Sequence, residues 1–144
     1  ASLVGPDLSL SKLIYSNLSG AQCMGTDFHY GDLTYANLSK ANFWSATFFS
    51  TKVHGTDFSA SIFSETIMAD LDLSGTKGLE EIMHTGPSTI GIDTILKSKA
   101  SIPLVFLQGA GLPNDLISLE TRSRTPSFSR EFKNWDKSDD RLKI

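Results

Sequence analysis

The sequence predicts a mainly β solenoid, a coil of stacked five-residue blocks closed at one end by a short helical segment. Three observations predict it. A five-residue phase runs unbroken from Ala1 to Gly75 through fifteen blocks; the third place of every block is apolar; and the first place is small in all but two, the exceptions being Pro6 and Leu71. Neither a helical period of about 3.6 nor a strand period of about 2 reproduces such a pattern. A repeat of fixed period is the mark of a solenoid, whose units bury their apolar face only by stacking on neighbours.

The third places are Leu3, Leu8, Leu13, Leu18, Cys23, Phe28, Leu33, Leu38, Phe43, Phe48, Val53, Phe58, Phe63, Met68 and Leu73. A large residue there and a small one two places earlier point inward together, because a narrow tube has room for only a small side chain beside a Leu or Phe. Blocks such as ANLSK, ANFWS and TDFSA follow the pattern A-(D/N)-L-x-x, and residues 1–75 resemble the pentapeptide-repeat family. The resemblance implies a right-handed quadrilateral β-helix with four pentapeptides per coil, here about 3.75 coils. Residues twenty apart are then stacked. The expected core columns are Leu3, Cys23, Phe43 and Phe63; Leu8, Phe28, Phe48 and Met68; Leu13, Leu33, Val53 and Leu73; and Leu18, Leu38 and Phe58.

The other places of each block face water, yet not all are polar. Met24 and Trp44 fall in one outward column, His29 and Phe49 in another, and Tyr15 with Tyr35 in a third. A contiguous apolar patch marks a contact, so these six residues are the candidate contact surface. Its expected occupant is the chain's own later segment, a second copy or a protein partner.

From Thr76 the phase fails. Leu79, Ile82 and Met83 lie at i, i+3 and i+4 ahead of Gly86 and Pro87, predicting a short helix over about 78–84 that covers the last coil. Asp93 is placed to N-cap a second helix over Thr94–Lys99; Pro103 and Pro113 suit helix starts, and Gly109 and Gly111 helix ends. The expected organisation is a coil over 1–75, a helical cap or connector over 76–120, and a tail over 121–144 that is flexible or docks Phe128, Phe132 and Trp135 on the coil. Residues 78–117, with GPSTIGIDTI and FLQGAGLP as their most specific pieces, resemble the connector of bacterial, often cyanobacterial, pentapeptide-repeat proteins that continue into a TIR domain. No FISYS-like strand follows residue 117, so the TIR domain itself is absent. The resemblance implies the sensing or assembly part of a signalling or defence protein.

Composition narrows the function. The net charge of −3 gives no reason to expect nucleic acid or an anionic membrane as partner. Only Lys12, Lys40 and Lys52 are cationic within the repeats, against seven acidic residues. That surplus suggests an alternative, since some pentapeptide-repeat proteins imitate duplex DNA and inhibit topoisomerases such as gyrase. The plainer reading of the Asp and Asn residues at the second place is bonding to nearby backbone. Cys23 alone rules out an internal disulfide and favours a cytoplasmic location; the chain opens at Ala1 rather than Met, which leaves room for a removed N-terminal segment. No apolar run is long enough to span a bilayer. His29, His54 and His84 fall on different faces, and no P-loop, G-x-S-x-G or G-x-G-x-x-G is present. A filled coil offers no cleft for converging catalytic groups. The sequence therefore predicts a non-catalytic scaffold with no cofactor, metal or small-molecule substrate, working through a protein partner or homo-oligomer.

Overall fold

A computed structural model describes residues 5–113, Asp115 and Ile117. Parallel bridges join Asp7 to Asp27, Lys12 to Asp32, Asn17 to Asn37 and Gln22 to Asn42, a constant offset of twenty residues. Four five-residue sides therefore make one turn of the coil. Leu3 lies outside the described residues.

Most corners are hydrogen-bonded turns. The first-place N–H donates to the third-place carbonyl of the block before, as from Ala36 to Leu33 at 2.8 Å. The fifth place adopts a left-handed conformation whether or not it is glycine: Gly25 has φ 66°, but Tyr15, Tyr35 and Lys40 have φ 58°, 57° and 59°. A β-turn with positive φ at its third residue requires this, so the same backbone conformation recurs at the fifth places from Gly5 to Asp70, strained only where the residue is not glycine.

The second place stabilises the turn. Its carboxylate or amide oxygen accepts the N–H two residues on: Thr34 donates to Asp32 at 3.0 Å, Ser39 to Asn37 at 3.0 Å and Ser59 to Asp57 at 2.9 Å. This is the backbone role expected for Asp and Asn there. First-place threonines are buried because their hydroxyls have a partner: Thr51 donates to the Phe28 carbonyl and Thr56 to that of Leu33, both at 2.8 Å.

The third places fill the interior. Cys23, Phe43, Phe48, Phe58, Phe63 and Met68 are wholly buried. Phe28 and Phe48 stack at 4.9 Å, and Phe43 meets Phe48 edge-on at 5.3 Å. Leu33, Leu38, Val53 and Leu73 are buried too. Leu8, Leu13 and Leu18, expected in the core, are only half-buried, because among the described residues they have a covering turn on one side alone.

The coil does not stop at residue 75. Strands β1 (Thr47–Phe49), β2 (Ile62–Phe63) and β3 (Ile67–Ala69) are followed by a 3-10 helix at Leu79–Glu81, β4 (Met83–His84) and β5 (Thr89–Ile90). Asp57 pairs with Lys77, Ile62 with Met83 and Ile67 with Thr89, so the offset grows from twenty to twenty-one to twenty-two. Two sides are thus one residue longer, and this hides the continuation from a five-residue phase. The helix expected over 78–84 is instead the 3-10 turn plus β4. The extra residue is accommodated at Gly78, whose φ is 76° and where a Cβ would overlap Ser59.

Helix α1 (Ile92–Lys97) replaces the next strand and closes the open edge with side chains. The N–H groups of Asp70, Leu71 and Leu73 donate to Asp93, Thr94 and Ser98 at 3.0, 3.2 and 2.9 Å. Asp93 does not N-cap this helix; Gly91 does, in extended conformation, and the Asp93 carboxylate reaches the coil edge from the first helical turn. Helix α2 (Leu104–Ala110) begins after Pro103 and ends at Gly111 with φ 93°. Gly109 lies within it rather than ending it, and is glycine there because a side chain would overlap the His84 ring. Phe106 of α2 meets Phe63 at 6.2 Å, so α2, rather than a helix over 78–84, lies against the last turn. The tail expectation for residues 121–144 lies outside the described residues.

Candidate functional site

Outward side chains gather at the corners, where the fourth and fifth places turn. The corner carrying Met24 and Trp44 leaves Trp44 exposed and Met24 half-buried. At the next, His29 lies 5.3 Å from Phe49, and Tyr30 meets Phe49 edge-on at 5.6 Å. At the third, Tyr15 and Tyr35 stack at 5.2 Å with planes 9° apart, and His54 abuts Tyr35 at 5.4 Å. The six candidate contact residues are therefore three corner columns, with Trp44 apart from the other aromatic groups. No described residue beyond 75 covers Tyr15, Tyr30, Tyr35 or Trp44, all of which are exposed.

Gly55 explains how the third column forms. A Cβ at this position would overlap the Tyr35 ring, so the ring leans along the coil onto bare backbone. The φ of 69° at Gly55 also suits glycine.

Tyr30, Leu10 and Ile14 are exposed on the same corners but were not singled out by the sequence reading, which took columns pair by pair. The signal for Leu10 and Tyr30 is the fifth place, where a left-handed turn position normally occupied by small or polar residues holds Leu10, Tyr15, Tyr30 and Tyr35; Ile14 stands at a fourth place beside Tyr15.

Between the second and third corners runs a flat side with Lys12, Asp32, Lys52 and Asp72 at its second places. The Asp32 carboxyl is held below its usual range, first by the Thr34 hydroxyl and also by the flanking Lys52 and Lys12. At the far end of this side Asp70 pairs with Lys97 of α1 and accepts the Ser50 hydroxyl. Those contacts hold its carboxyl below the ordinary value. Lys52, His54, Asp70, Asp72 and Lys97 border a shallow, open concavity.

Other reactive groups are inward. Burial pushes the Cys23 thiol up to about 11, which leaves it protonated and unreactive at neutral pH. His84 packs against Phe63 and Phe106, neither ring nitrogen has a hydrogen-bond partner among the described residues, and burial lowers its pKa. Among the described residues no group of three His, Cys, Asp or Glu converges on a metal position. No described helix is long and apolar enough to cross a membrane.

Residues 7–44 match the family model for pentapeptide repeats, in eight copies. No curated protein sequence matches. Among solved structures, a pentapeptide repeat protein from the Arabidopsis thaliana thylakoid lumen superposes with a TM-score of 0.54 at 20% identity, over 64% of this chain and 61% of that one. QnrB1, a plasmid-mediated fluoroquinolone resistance protein, aligns at 22% identity and TM-score 0.35 over 62% of this chain and 51% of its own. HetL of Nostoc sp. strain PCC 7120, involved in heterocyst differentiation regulation, aligns at 17% identity and TM-score 0.19 over 65% and 55%. The chain thus spans little more than half the length of these structures. The first supports the fold.

Proposed function

We propose that this pentapeptide-repeat chain works as a non-catalytic scaffold whose corner columns of exposed aromatic side chains bind another protein. One observation carries the reading: Tyr15 and Tyr35 stack in the open, 5.2 Å apart, on a coil whose interior is already filled. Aromatic side chains held rigidly at a surface contribute large contact area at small entropic cost, which is why they dominate protein interfaces. The setting we propose is a TIR-associated signalling or defence assembly, on the resemblance of residues 78–117 to such connectors.

The DNA-mimic alternative draws less support. A duplex mimic needs continuous rows of negative charge, whereas Asp7 and Asp27 are followed in their column by Thr47 and Ile67, and the Lys12 column alternates in sign. A supercoiling assay separates the two readings; potent gyrase inhibition would favour mimicry.

The scaffold reading is tested by placing a benzophenone photo-crosslinker at Tyr35, at Trp44 and, as control, at exposed Glu80 in cells expressing the full-length protein. Protein adducts from Tyr35 or Trp44 but not Glu80 are expected. Adducts from none, or equally from all three, would contradict it. Some TIR domains consume NAD; a non-catalytic scaffold is expected to leave NAD intact on incubation.

A further inference from the structure

The side bearing Lys12, Asp32, Lys52 and Asp72 is ordered as no other side of the coil is. Successive rungs alternate base, acid, base, acid. Parallel bridges join Lys12 to Asp32 and Asp32 to Lys52, and the Gly55 N–H donates to the Gly75 carbonyl at 2.8 Å, so the rungs keep one register throughout. Their spacing is that of neighbouring strands, about 4.8 Å.

These charges are available. Lys12, Lys52 and Asp72 are exposed and Asp32 is half-buried. Among the described residues ion pairs join only Asp27 to His29 and Asp70 to Lys97, so neither ladder lysine has a carboxylate partner among them. Aromatic and aliphatic edges flank the ladder. Leu10 and Tyr30, 73% and 57% exposed, stand on one corner; Ile14, Tyr15 and Tyr35, 46%, 73% and 44% exposed, stand on the other. That is half of the ten exposed large apolar side chains among the described residues.

An alternating ladder of even length complements itself when reversed. With a second copy turned over to face the first, Lys12 meets Asp72, Asp32 meets Lys52, and the remaining two pairs follow by symmetry. The common coil spacing makes all four pairs fit at once. A parallel arrangement sets like against like on every rung. We propose that this side is the interface of an antiparallel two-fold dimer, with the charge ladder setting direction and register and the apolar edges supplying buried area. Such an interface is isologous, the commonest kind in homo-oligomers, and the complementary charges contribute specificity more than affinity.

The proposal rests on the contact-scaffold reading and names a second copy of the chain as the partner. Four rungs span only about 15 Å, so the buried area falls below the roughly 800 Å² per partner of a standard interface. The dimer is therefore weak, with a dissociation constant on the order of 100 μM, and dissociates as salt is raised.

Sedimentation of the full chain from about 10 to 500 μM, a range chosen to bracket that constant, tests it with two rearrangements that conserve composition. Lys12→Asp with Asp32→Lys gives the order acid, base, base, acid; Lys52→Asp with Asp72→Lys gives base, acid, acid, base. Each reads the same reversed, so each meets its own kind with like charges and is expected to stay monomeric. An equimolar mixture restores complementarity and is expected to dimerise. Each variant gives up one second-place turn acceptor, at Asp32 or Asp72, and supplies another carboxylate at the equivalent place 12 or 52, so both are expected to keep the circular dichroism of the parent. A parent chain that stays monomeric, a rearranged variant that dimerises alone, or a mixture that fails to associate would each overturn the proposal. A monomeric parent that still yields adducts with other proteins from Tyr35 or Trp44 would sink the dimer and leave the scaffold reading intact.

Discussion

The rings of Phe28 and Phe48, twenty residues apart in sequence, stack at 4.9 Å with their planes 6° from parallel. Phe48 also meets Phe43 and Phe58 edge-on at 5.3 and 5.8 Å, so one ring joins three sides of the coil. Phe48→Ala is expected to cost about 3–5 kcal/mol, read as a lower midpoint in urea denaturation. Phe49→Ala, on the outward side of the same strand, is expected to cost well under half as much.

The second-place side chains are expected to contribute through the turn rather than through charge. Asn37→Ala removes the acceptor for the Ser39 N–H and hydroxyl, at an expected cost of about 0.5–1.5 kcal/mol. Asn37→Asp preserves the acceptor and is expected to stay within about 0.5 kcal/mol of the parent. Thermal denaturation of the pair separates the two roles.

Much of this was legible in the sequence. Stacking by twenties follows from the unbroken phase, and the wholly buried Phe43, Phe48, Phe58 and Phe63 all stand at third places. The continuation to Ile90 was not legible, because one added residue on each of two sides destroys the phase while leaving the pairing of Ile62 with Met83 and Ile67 with Thr89 intact. Asp93 misled for a related reason: an acidic residue at a helix start normally caps its own helix, whereas here it caps the edge of the coil at Asp70. The charge ladder was present in the sequence but visible only when second places are read twenty apart, as the core places were.

Corner strain gives opposite expectations at two glycine-related positions. Gly55→Ala combines a φ of 69° with overlap of the Tyr35 ring, and is expected to destabilise by more than the roughly 1–2 kcal/mol of left-handed backbone alone. Lys40 adopts φ 59° and is exposed. Lys40→Gly is expected to be neutral to stabilising by about 1 kcal/mol, the relief of strain being offset by the entropy of a more flexible unfolded chain. Chemical denaturation of both variants checks the sign.

His84 makes the cap sensitive to acid. Its pKa is lowered from 6.5 by burial, so as pH falls below 6.5 the unfolded chain takes up a proton before the folded one does. The stability associated with the neutral ring is fully present above 6.5 and declines as pH falls from there toward the lowered folded value. His84→Leu is expected to flatten this part of the stability profile. It also removes two ring nitrogens that have no hydrogen-bond partner among the described residues. Depressed Asp32 and Asp70 act in a separate window, their contributions being present above the ordinary carboxylate value of 3.8 and lost as pH falls through the lowered ones.

The twenty-residue register underlies the core, the corners and the ladder alike, and Ser19 and Ser39, whose hydroxyl oxygens lie 3.1 Å apart on adjacent turns, offer the most direct measurement of it. With Ser19→Cys and Ser39→Cys together, mild oxidation is expected to close an intramolecular disulfide, since adjacent rungs set the two Cα atoms at about the separation such a bond needs. Ser19→Cys with Ser45→Cys, one side out of register, is expected to stay reduced under the same conditions. Mass spectrometry finding the Ser19–Ser39 pair open, or both pairs closed to the same extent, would contradict the register.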